Sequence, residues 1–152
     1  MFILENQNVL LGVDAKNQRE AIQILGNQMV ENGFIKEAYI DAVIEREMQY
    51  PTGLPTEGVK VAIPHANANH VIQSTIGVMT LSKPVTFCSM GDATEELDVE
   101  LIFLLANTDQ SDQPESLQRL MQCFSEEEAL LKMKAATTED EILTVLRDYM
   151  KE

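Results

Sequence analysis

The residues best suited to chemistry lie in one short segment, VAIPHANANH at positions 61–70. Its apolar start predicts a strand, and Pro64 interrupts regular strand pairing. We therefore expect His65 to project from the end of that strand, where open α/β sheets usually bind ligands. A neutral imidazole there can act as a nucleophile. From these residues alone, a histidine with a purely structural hydrogen bond remains the alternative.

The chain around His65 is free of negative charge, since no Asp or Glu occurs between Glu57 and Asp92. A carboxylate close to a bound phosphoryl group would repel it, so this window suits an anionic ligand. Strands also contain few acidic residues, which explains the window without any function. Backbone N–H groups after His65 and the side-chain amides of Asn67 and Asn69 are candidate donors to anionic oxygens.

Other common sites find little support. The segment GLPTEGVK (53–60) has the glycine spacing of a phosphate-binding P-loop, but Val59 interrupts the required Gly-Lys pair. No two glycines are separated by a single residue, which excludes the dinucleotide-binding fingerprint. A metal bound by His65 and His70 would need carboxylate ligands from remote segments. We therefore expect neither a metal nor a cofactor.

The elements that must position His65 follow from hydrophobic periodicity and from breakers. One helix is predicted over 15–32, capped by Asp14 and stopped by Gly33, and a second over 36–49, ending before Pro51 with Arg46 in its last turn. The segment PTGLP (51–55) is predicted to be a loop. Further elements are strands over 59–63, 75–81, 85–89 and 99–105, a helix around 117–124, and two helices that begin at the capping boxes Ser125/Glu128 and Thr138/Glu141.

The run LIFLLA (101–106) has no polar alternation, which is typical of a strand covered on both faces. The predicted fold class is therefore α/β, a mixed β-sheet flanked by helices on both faces. The 152 residues are enough for one domain, and we expect residues 1–152 to form a single three-layer domain.

Composition narrows the possible partners. The formal net charge of −14 disfavours nucleic acid and anionic membrane surfaces. The two cysteines, Cys88 and Cys123, are not in a CxxC spacing, so no disulfide framework is expected. The chain start has no basic leader, and no apolar run approaches the ~18 residues of a membrane span. We expect a cytoplasmic protein that is not inserted in a membrane.

Three motifs in this order resemble the enzyme IIA components of the bacterial phosphoenolpyruvate-dependent sugar phosphotransferase system, of the fructose–mannitol type. They are Arg46-Glu47, PTGL at 51–54 and VAIPHA at 61–66. The resemblance implies the fold of those components and a phosphocarrier function. His65 would accept a phosphoryl group from the histidine phosphocarrier protein HPr and pass it to a cysteine of a IIB component, which serves a membrane IIC component.

The resemblance also implies roles for particular residues. The candidate catalytic residues are His65, Arg46 and His70, and the candidates for stabilising the phosphoryl group are Arg46, Thr52 and Asn67. A solvated helix arginine, a loop-capping Thr52 and a structural His70 are the corresponding alternatives.

One position departs from the family pattern. Family members often place a second histidine before a Leu-x-x-Leu run, whereas Ser116 precedes Leu117-Gln-Arg-Leu120 here. His70 and the RExxxPTG pattern are more similar to the galactitol-type branch, which would make a galactitol-like sugar alcohol the substrate. A regulatory module of the same fold, controlled by phosphorylation, is the alternative function. A metal- or nucleotide-dependent hydrolase has little support.

Overall fold

A computed structural model describes residues 2–108 and 114–150, and five strands in these ranges form one sheet of order β1-β4-β5-β3-β2. The strands are β1 Val9–Val13, β2 Gly53–Leu54, β3 Lys60–Ala62, β4 Thr75–Cys88 and β5 Glu96–Ala106. β1 is parallel to β4 and β3 is parallel to β5, whereas β2 with β3 and β4 with β5 are antiparallel pairs. The predicted mixed sheet is confirmed.

β5 lies at the middle of this sheet, between β4 and β3. Residues 101–106 of β5 are all buried, which is why the run LIFLLA lacks polar alternation. The register pairs Val61 of β3 with Leu101 and Ala62 with Ile102. Chain that continues past β3 therefore passes the carboxyl end of β5, where His65 is found.

Helices cover both faces of the sheet, as predicted. One core packs α1 (Gln18–Glu31) and α2 (Glu37–Gln49) against one face. The other core packs α3 (Pro114–Phe124), α4 (Glu127–Lys134) and α5 (Glu139–Met150) against the opposite face. None of the helices in the described ranges is both long and apolar enough to span a membrane.

Helix boundaries agree with the sequence except at two caps. Asn17, and not Asp14, caps α1: its Oδ1 accepts a hydrogen bond of 2.8 Å from the backbone N–H of Glu20. Gly33 has φ +82°, the left-handed conformation expected at a helix stop. The predicted box at Ser125 is wrong because the Ser125 hydroxyl donates back to the carbonyl of Gln122 at 2.6 Å, and α4 begins without a side-chain cap.

The capping box of α5 is confirmed. The backbone N–H of Glu141 donates to Oγ1 of Thr138 at 3.3 Å, and the backbone N–H of Thr138 donates to Oε1 of Glu141 at 3.1 Å. Each residue thus satisfies a backbone donor at the start of the helix.

The strands differ from the prediction in three places. The two strands expected over 75–81 and 85–89 form one strand, β4, with an irregular register between Thr80 and Val85. The loop predicted over 51–55 contains the short strand β2. β1 was not predicted; its Gly12 has φ +61°, and the register with β4 shifts between Leu10 and Val13.

Candidate functional site

His65 follows β3 and lies half-buried at the carboxyl end of the parallel β3–β5 pair, as the sequence predicted. Its Nδ1 lies 2.7 Å from the carbonyl oxygen of Ile63. A carbonyl oxygen can only accept, so the proton of a neutral ring is on Nδ1 and the lone pair is on Nε2. The nitrogen available for nucleophilic attack is therefore Nε2.

The surroundings of His65 keep its ring neutral. Burial lowers the pKa of His65, the hydrogen bond to Ile63 raises it, and the positive charge of Arg46 lowers it. The net shift is downward from a normal value of 6.5. The neutral form therefore dominates at neutral pH, and only this form has a nucleophilic lone pair.

A cavity of about 460 Å³ opens beside the His65 ring. Most of its described walls are apolar, and only three lining side chains carry hydrogen-bonding groups: His65, Arg46 and Asn107. The apolar lining residues are Phe2, Ile63, Ala66, Met90, Leu105, Leu117 and Met121. An anion bound next to His65 would therefore have few polar partners within this cavity.

Arg46 is the cationic side chain among the described lining residues. It lies in the last turn of α2, is exposed, and its guanidinium carbon stands 5.2 Å from the centre of the Tyr50 ring. Such cation–π contact restrains the side chain without occupying its N–H donors. A guanidinium keeps its proton at all physiological pH values and binds phosphate oxygens with a fork of donors.

Glu47, the neighbour of Arg46, points into the protein and is only 4% exposed. Its Oε2 accepts from the backbone N–H of Thr52 at 2.8 Å, and its Oε1 accepts from the Thr52 hydroxyl at 2.7 Å. Burial raises the pKa of Glu47 to about 7, although both bonds from Thr52 and the Arg46 charge act in the opposite direction. Glu47 thus anchors the loop that follows α2.

The three sequence motifs are joined by a chain of hydrogen bonds. Glu47 holds Thr52, the carbonyl oxygen of Thr52 accepts from the backbone N–H of Ile63 at 3.3 Å, and the carbonyl oxygen of Ile63 holds Nδ1 of His65. The Arg-Glu pair, the Pro-Thr-Gly loop and the Pro-His segment therefore form one structural unit.

Gly53 gives the same loop a second fixed contact. A Cβ at this position would stand 2.6 Å from the carbonyl oxygen of Cys88, so no larger residue fits without movement of the backbone. The backbone N–H of Met90 donates to the carbonyl oxygen of Gly53 at 2.8 Å, and Met90 lines the cavity. The glycine thus brings one cavity wall close to the loop.

Tyr39 of α2 fixes the chain on the other side of His65. Its side chain is fully buried; its hydroxyl donates to the carbonyl oxygen of Leu105 at 2.7 Å and accepts from the backbone N–H of Ala66 at 3.1 Å. Burial raises the pKa of Tyr39 to about 12, so the hydroxyl keeps its proton. Tyr39 therefore joins the residue after His65 to the end of β5.

The structure brings together only two of the six site residues predicted from the sequence. His65 and Arg46 line the cavity, whereas the described lining does not include Thr52, Asn67, Asn69 or His70. Thr52 is 2% exposed and its hydroxyl is bonded to Glu47, because the loop turns it inward and away from solvent. Asn67 is exposed, and His70 ends the 3₁₀ turn Ala68–His70, where its carbonyl oxygen accepts from the backbone N–H of Lys36 at 2.9 Å.

Two residues of the site were missed by the sequence argument. Asn107 lines the cavity although it is far from His65 in the sequence, and Tyr39 contacts the chain beside His65. The only available signal for Asn107 was its place directly after the central strand, where ligands of α/β sheets bind. In the part of the chain that the structure describes, no group of three His, Cys, Asp or Glu side chains is arranged to hold a metal ion.

Comparison with known proteins identifies the family. Residues 2–149 match the family model described as "Phosphoenolpyruvate-dependent sugar phosphotransferase system, EIIA 2". The chain belongs to this EIIA family. It is therefore a component of a phosphotransferase system.

Curated relatives of this EIIA chain are named for two sugar alcohols. It is 32% identical to the "Mannitol-specific phosphotransferase enzyme IIA component" of Geobacillus stearothermophilus, over 97% of each chain. It is 28% identical to the "PTS system galactitol-specific EIIA component" of Escherichia coli O6:H1, over 80% of this chain and 77% of the relative. A mannitol-specific EIICBA component of Vibrio cholerae is 37% identical over 57% of this chain, but the matched region spans only 13% of that longer protein.

Solved structures confirm the fold of this EIIA chain. The complex of enzyme IIA and phosphorylated enzyme IIB of the Escherichia coli mannitol system aligns with a TM-score of 0.80 at 22% identity, over 97% of this chain and 99% of that one. The crystal structure of IIA mannitol from the same organism aligns with a TM-score of 0.76 at 24% identity, over 95% and 99% of the two chains.

Proposed function

We propose that this chain is the phosphocarrier IIA component of a sugar-alcohol phosphotransferase system, with phospho-His65 as its covalent intermediate. The observation that carries the proposal is the 2.7 Å contact between Nδ1 of His65 and the carbonyl oxygen of Ile63. It leaves Nε2 as the nucleophile of a residue that lines the same cavity as Arg46. A half-buried, neutral imidazole in the same cavity as a permanent cation is suited to accept a phosphoryl group.

The first transfer needs no proton movement in His65. The lone pair of Nε2 forms the new nitrogen–phosphorus bond while the bond from phosphorus to the donor nitrogen breaks, and that electron pair stays on the donor imidazole. Nδ1 keeps its proton, so the phosphorylated ring is an imidazolium. The carbonyl oxygen of Ile63 accepts from Nδ1 and stabilises this positive charge.

The second transfer reverses these roles. A cysteine thiolate of the acceptor attacks phosphorus, the bond to Nε2 breaks, and its electron pair returns to a neutral His65 ring. The same hydrogen bond to Ile63 thus serves both steps, because it holds the tautomer that begins the first transfer and ends the second.

Arg46 supplies the positive charge for the phosphoryl oxygens in both steps. The oxygens carry negative charge throughout the transfer, so a cation that needs no reorganisation lowers the barrier. Thr52 and Glu47 act indirectly, because they hold the loop after α2 and, through Ile63, the ring of His65. Asn67 and His70 lie outside the described lining of the cavity and take no part in the proposed transfer.

The proposed partners follow from the family and from the resemblance of the motifs. We propose HPr as donor and a IIB component as acceptor, with a membrane IIC component as the indirect partner, and we place the chain in the cytoplasm. The relatives named for mannitol and galactitol support a sugar alcohol as the transported substrate. Of these, the galactitol type is the one that His70 and the RExxxPTG pattern favour.

Intact-protein mass spectrometry tests the proposal. The chain is incubated with phosphoenolpyruvate, enzyme I and HPr, beside a His65→Gln variant and a His70→Gln variant as the matched histidine control. The proposal predicts one acid-labile phosphoryl group on the wild type and on His70→Gln, and none on His65→Gln. Absence of the group from the wild type, or its presence on His65→Gln, would overturn it.

A further inference from the structure

We propose that Asn107 is a further phosphoryl-binding residue, whose side-chain amide donates a hydrogen bond to an oxygen of phospho-His65. The inference rests on the proposed function of His65 and extends it. Asn107 is half-buried and lines the same cavity as His65 and Arg46. Among the described lining residues it is the uncharged side chain that has a strong hydrogen-bond donor.

The position of Asn107 beside His65 is fixed by the backbone. Asn107 follows directly on β5, and the backbone N–H of Leu105 donates to the carbonyl oxygen of Pro64 at 3.1 Å. Tyr39 makes a second link between these segments, from the carbonyl oxygen of Leu105 to the backbone N–H of Ala66. The residues on both sides of His65 are therefore tied to the last residues before Asn107.

The side chain of Asn107 is also oriented. Its Oδ1 accepts a hydrogen bond from the hydroxyl of Ser74 at 3.3 Å, and the oxygen of that hydroxyl accepts from the backbone N–H of Thr108 at 3.0 Å. Ser74 is 8% exposed, so this polar contact is shielded from solvent. The amide nitrogen carries two hydrogens, so it is the atom of Asn107 whose chemistry suits an anionic oxygen.

A second donor is what the chemistry of the cavity requires. Three phosphoryl oxygens carry the charge of the group, and the remaining described walls are apolar. Arg46 by itself can donate to only some of these three oxygens. A neutral amide adds a hydrogen bond without adding charge, so it holds the group in place and leaves it transferable to the next carrier.

The test is the change of one amide to a carboxylate of the same shape. Asn107→Asp places a negative charge beside the phosphoryl oxygens. We expect phosphorylation of His65 by phospho-HPr to slow at least tenfold, because the variant loses one hydrogen bond to the phosphoryl group and gains one repulsive contact with it. Asn69→Asp is the matched control, because Asn69 is exposed and lies outside the described cavity lining. It makes the same change in net charge near His65, and we expect its rate within about twofold of the wild type.

Two further measurements separate phosphoryl binding from a structural role. Ser74→Ala removes the hydroxyl that orients Asn107, so we expect it to slow transfer less than Asn107→Asp does. In purified phosphorylated protein at neutral pH, the half-life of the phosphoryl group on His65 should be shorter in Asn107→Asp than in the wild type. It should be unchanged in Asn69→Asp. Thermal unfolding of each unphosphorylated variant identifies any loss of fold, and transfer rates are compared at temperatures where all variants are folded.

The outcomes distinguish this inference from the proposed function. If the wild type gains no phosphoryl group, the proposed function fails. If the wild type is phosphorylated on His65 while folded Asn107→Asp and Asn69→Asp react at the same rate, the function stands and the role of Asn107 is overturned. A slower Asn107→Asp with a wild-type rate for Asn69→Asp supports the role of Asn107.

Discussion

The carboxylate of Glu47 accepts both polar hydrogens of Thr52, from the backbone N–H at 2.8 Å and from the hydroxyl at 2.7 Å. Both residues are almost fully buried. Because the carbonyl oxygen of Thr52 in turn accepts from the backbone N–H of Ile63, this pair supports the residue that holds the His65 ring.

Thr52→Val should destabilise the fold and slow phosphorylation of His65. The valine keeps the shape but removes the hydroxyl, which leaves one oxygen of a buried carboxyl group without its partner at a cost of about 1–3 kcal/mol. Thr52→Ser keeps the hydroxyl and should recover most of both losses. Urea unfolding and the transfer rate from phospho-HPr check this; equal behaviour of the valine and serine variants would contradict the role of the hydroxyl.

Glu47 should make stability depend on pH. Its pKa in the folded chain is about 7, raised by burial from 4.5, so the folded state binds this proton at a higher pH than the unfolded state does. The free energy of unfolding therefore falls as pH rises from about 5 to 8, by up to ~3 kcal/mol from this group.

Glu47→Gln should remove that dependence. The difference in unfolding free energy between Glu47→Gln and the wild type should shift in favour of the variant as pH rises from 5 to 8. Glu45→Gln, at an exposed position of the same helix, is the control with the same change of charge. A pH-independent difference between Glu47→Gln and the wild type would show that Glu47 is ionised throughout this range.

Arg46 should matter for transfer and not for folding. Arg46→Ala removes the cation proposed to bind the phosphoryl oxygens, and we expect transfer to slow by about 100-fold, the usual effect of losing one donor that stabilises a transition-state oxyanion. Arg46→Lys keeps the charge without the planar fork and should fall in between. The control is Arg19→Ala, another exposed helix arginine, outside the described cavity lining. Rapid-quench kinetics measure the rates; equal rates for Arg46→Ala and Arg19→Ala would exclude the role.

Tyr39→Phe should destabilise the chain on the far side of His65. The change removes only the hydroxyl, which leaves the N–H of Ala66 and the carbonyl of Leu105 without that partner, at a cost of about 1–3 kcal/mol. Tyr149→Phe removes a hydroxyl that bonds Glu126 at the surface, and should change stability by less than about 0.5 kcal/mol. Equal unfolding midpoints for the two variants would contradict the assignment.

Local patterns in the sequence were enough to predict the elements that place His65. The unbroken apolar run at 101–106 indicated the central strand, and Pro51 indicated where α2 ends, since both signals act over a few residues. The placement of His65 followed from them. The capping box at Ser125 failed because a competing local bond to Gln122 is equally available to a serine hydroxyl.

The partners of His65 depend on contacts that a single sequence does not display. From the sequence, the Thr52 hydroxyl could donate to a phosphoryl group or cap the loop. Only the fold shows that it points inward and bonds Glu47. Asn107 joins the site because β3 and β5 are paired in parallel, which brings together the ends of two distant segments. His70 was expected near His65 from its spacing, but the 3₁₀ turn that contains it lies outside the described lining of the cavity.

The ring nitrogen of His65 that carries the phosphoryl group decides whether the proposed mechanism is right. Two-dimensional ¹H–¹⁵N NMR of histidine-labelled chain, recorded before and after reaction with phospho-HPr, assigns both nitrogens of His65. We predict an Nδ1–H tautomer before the reaction and a phosphorus–nitrogen coupling at Nε2 after it, since Ile63 holds Nδ1. Phosphorylation at Nδ1, or a free ring with its proton on Nε2, would contradict the account.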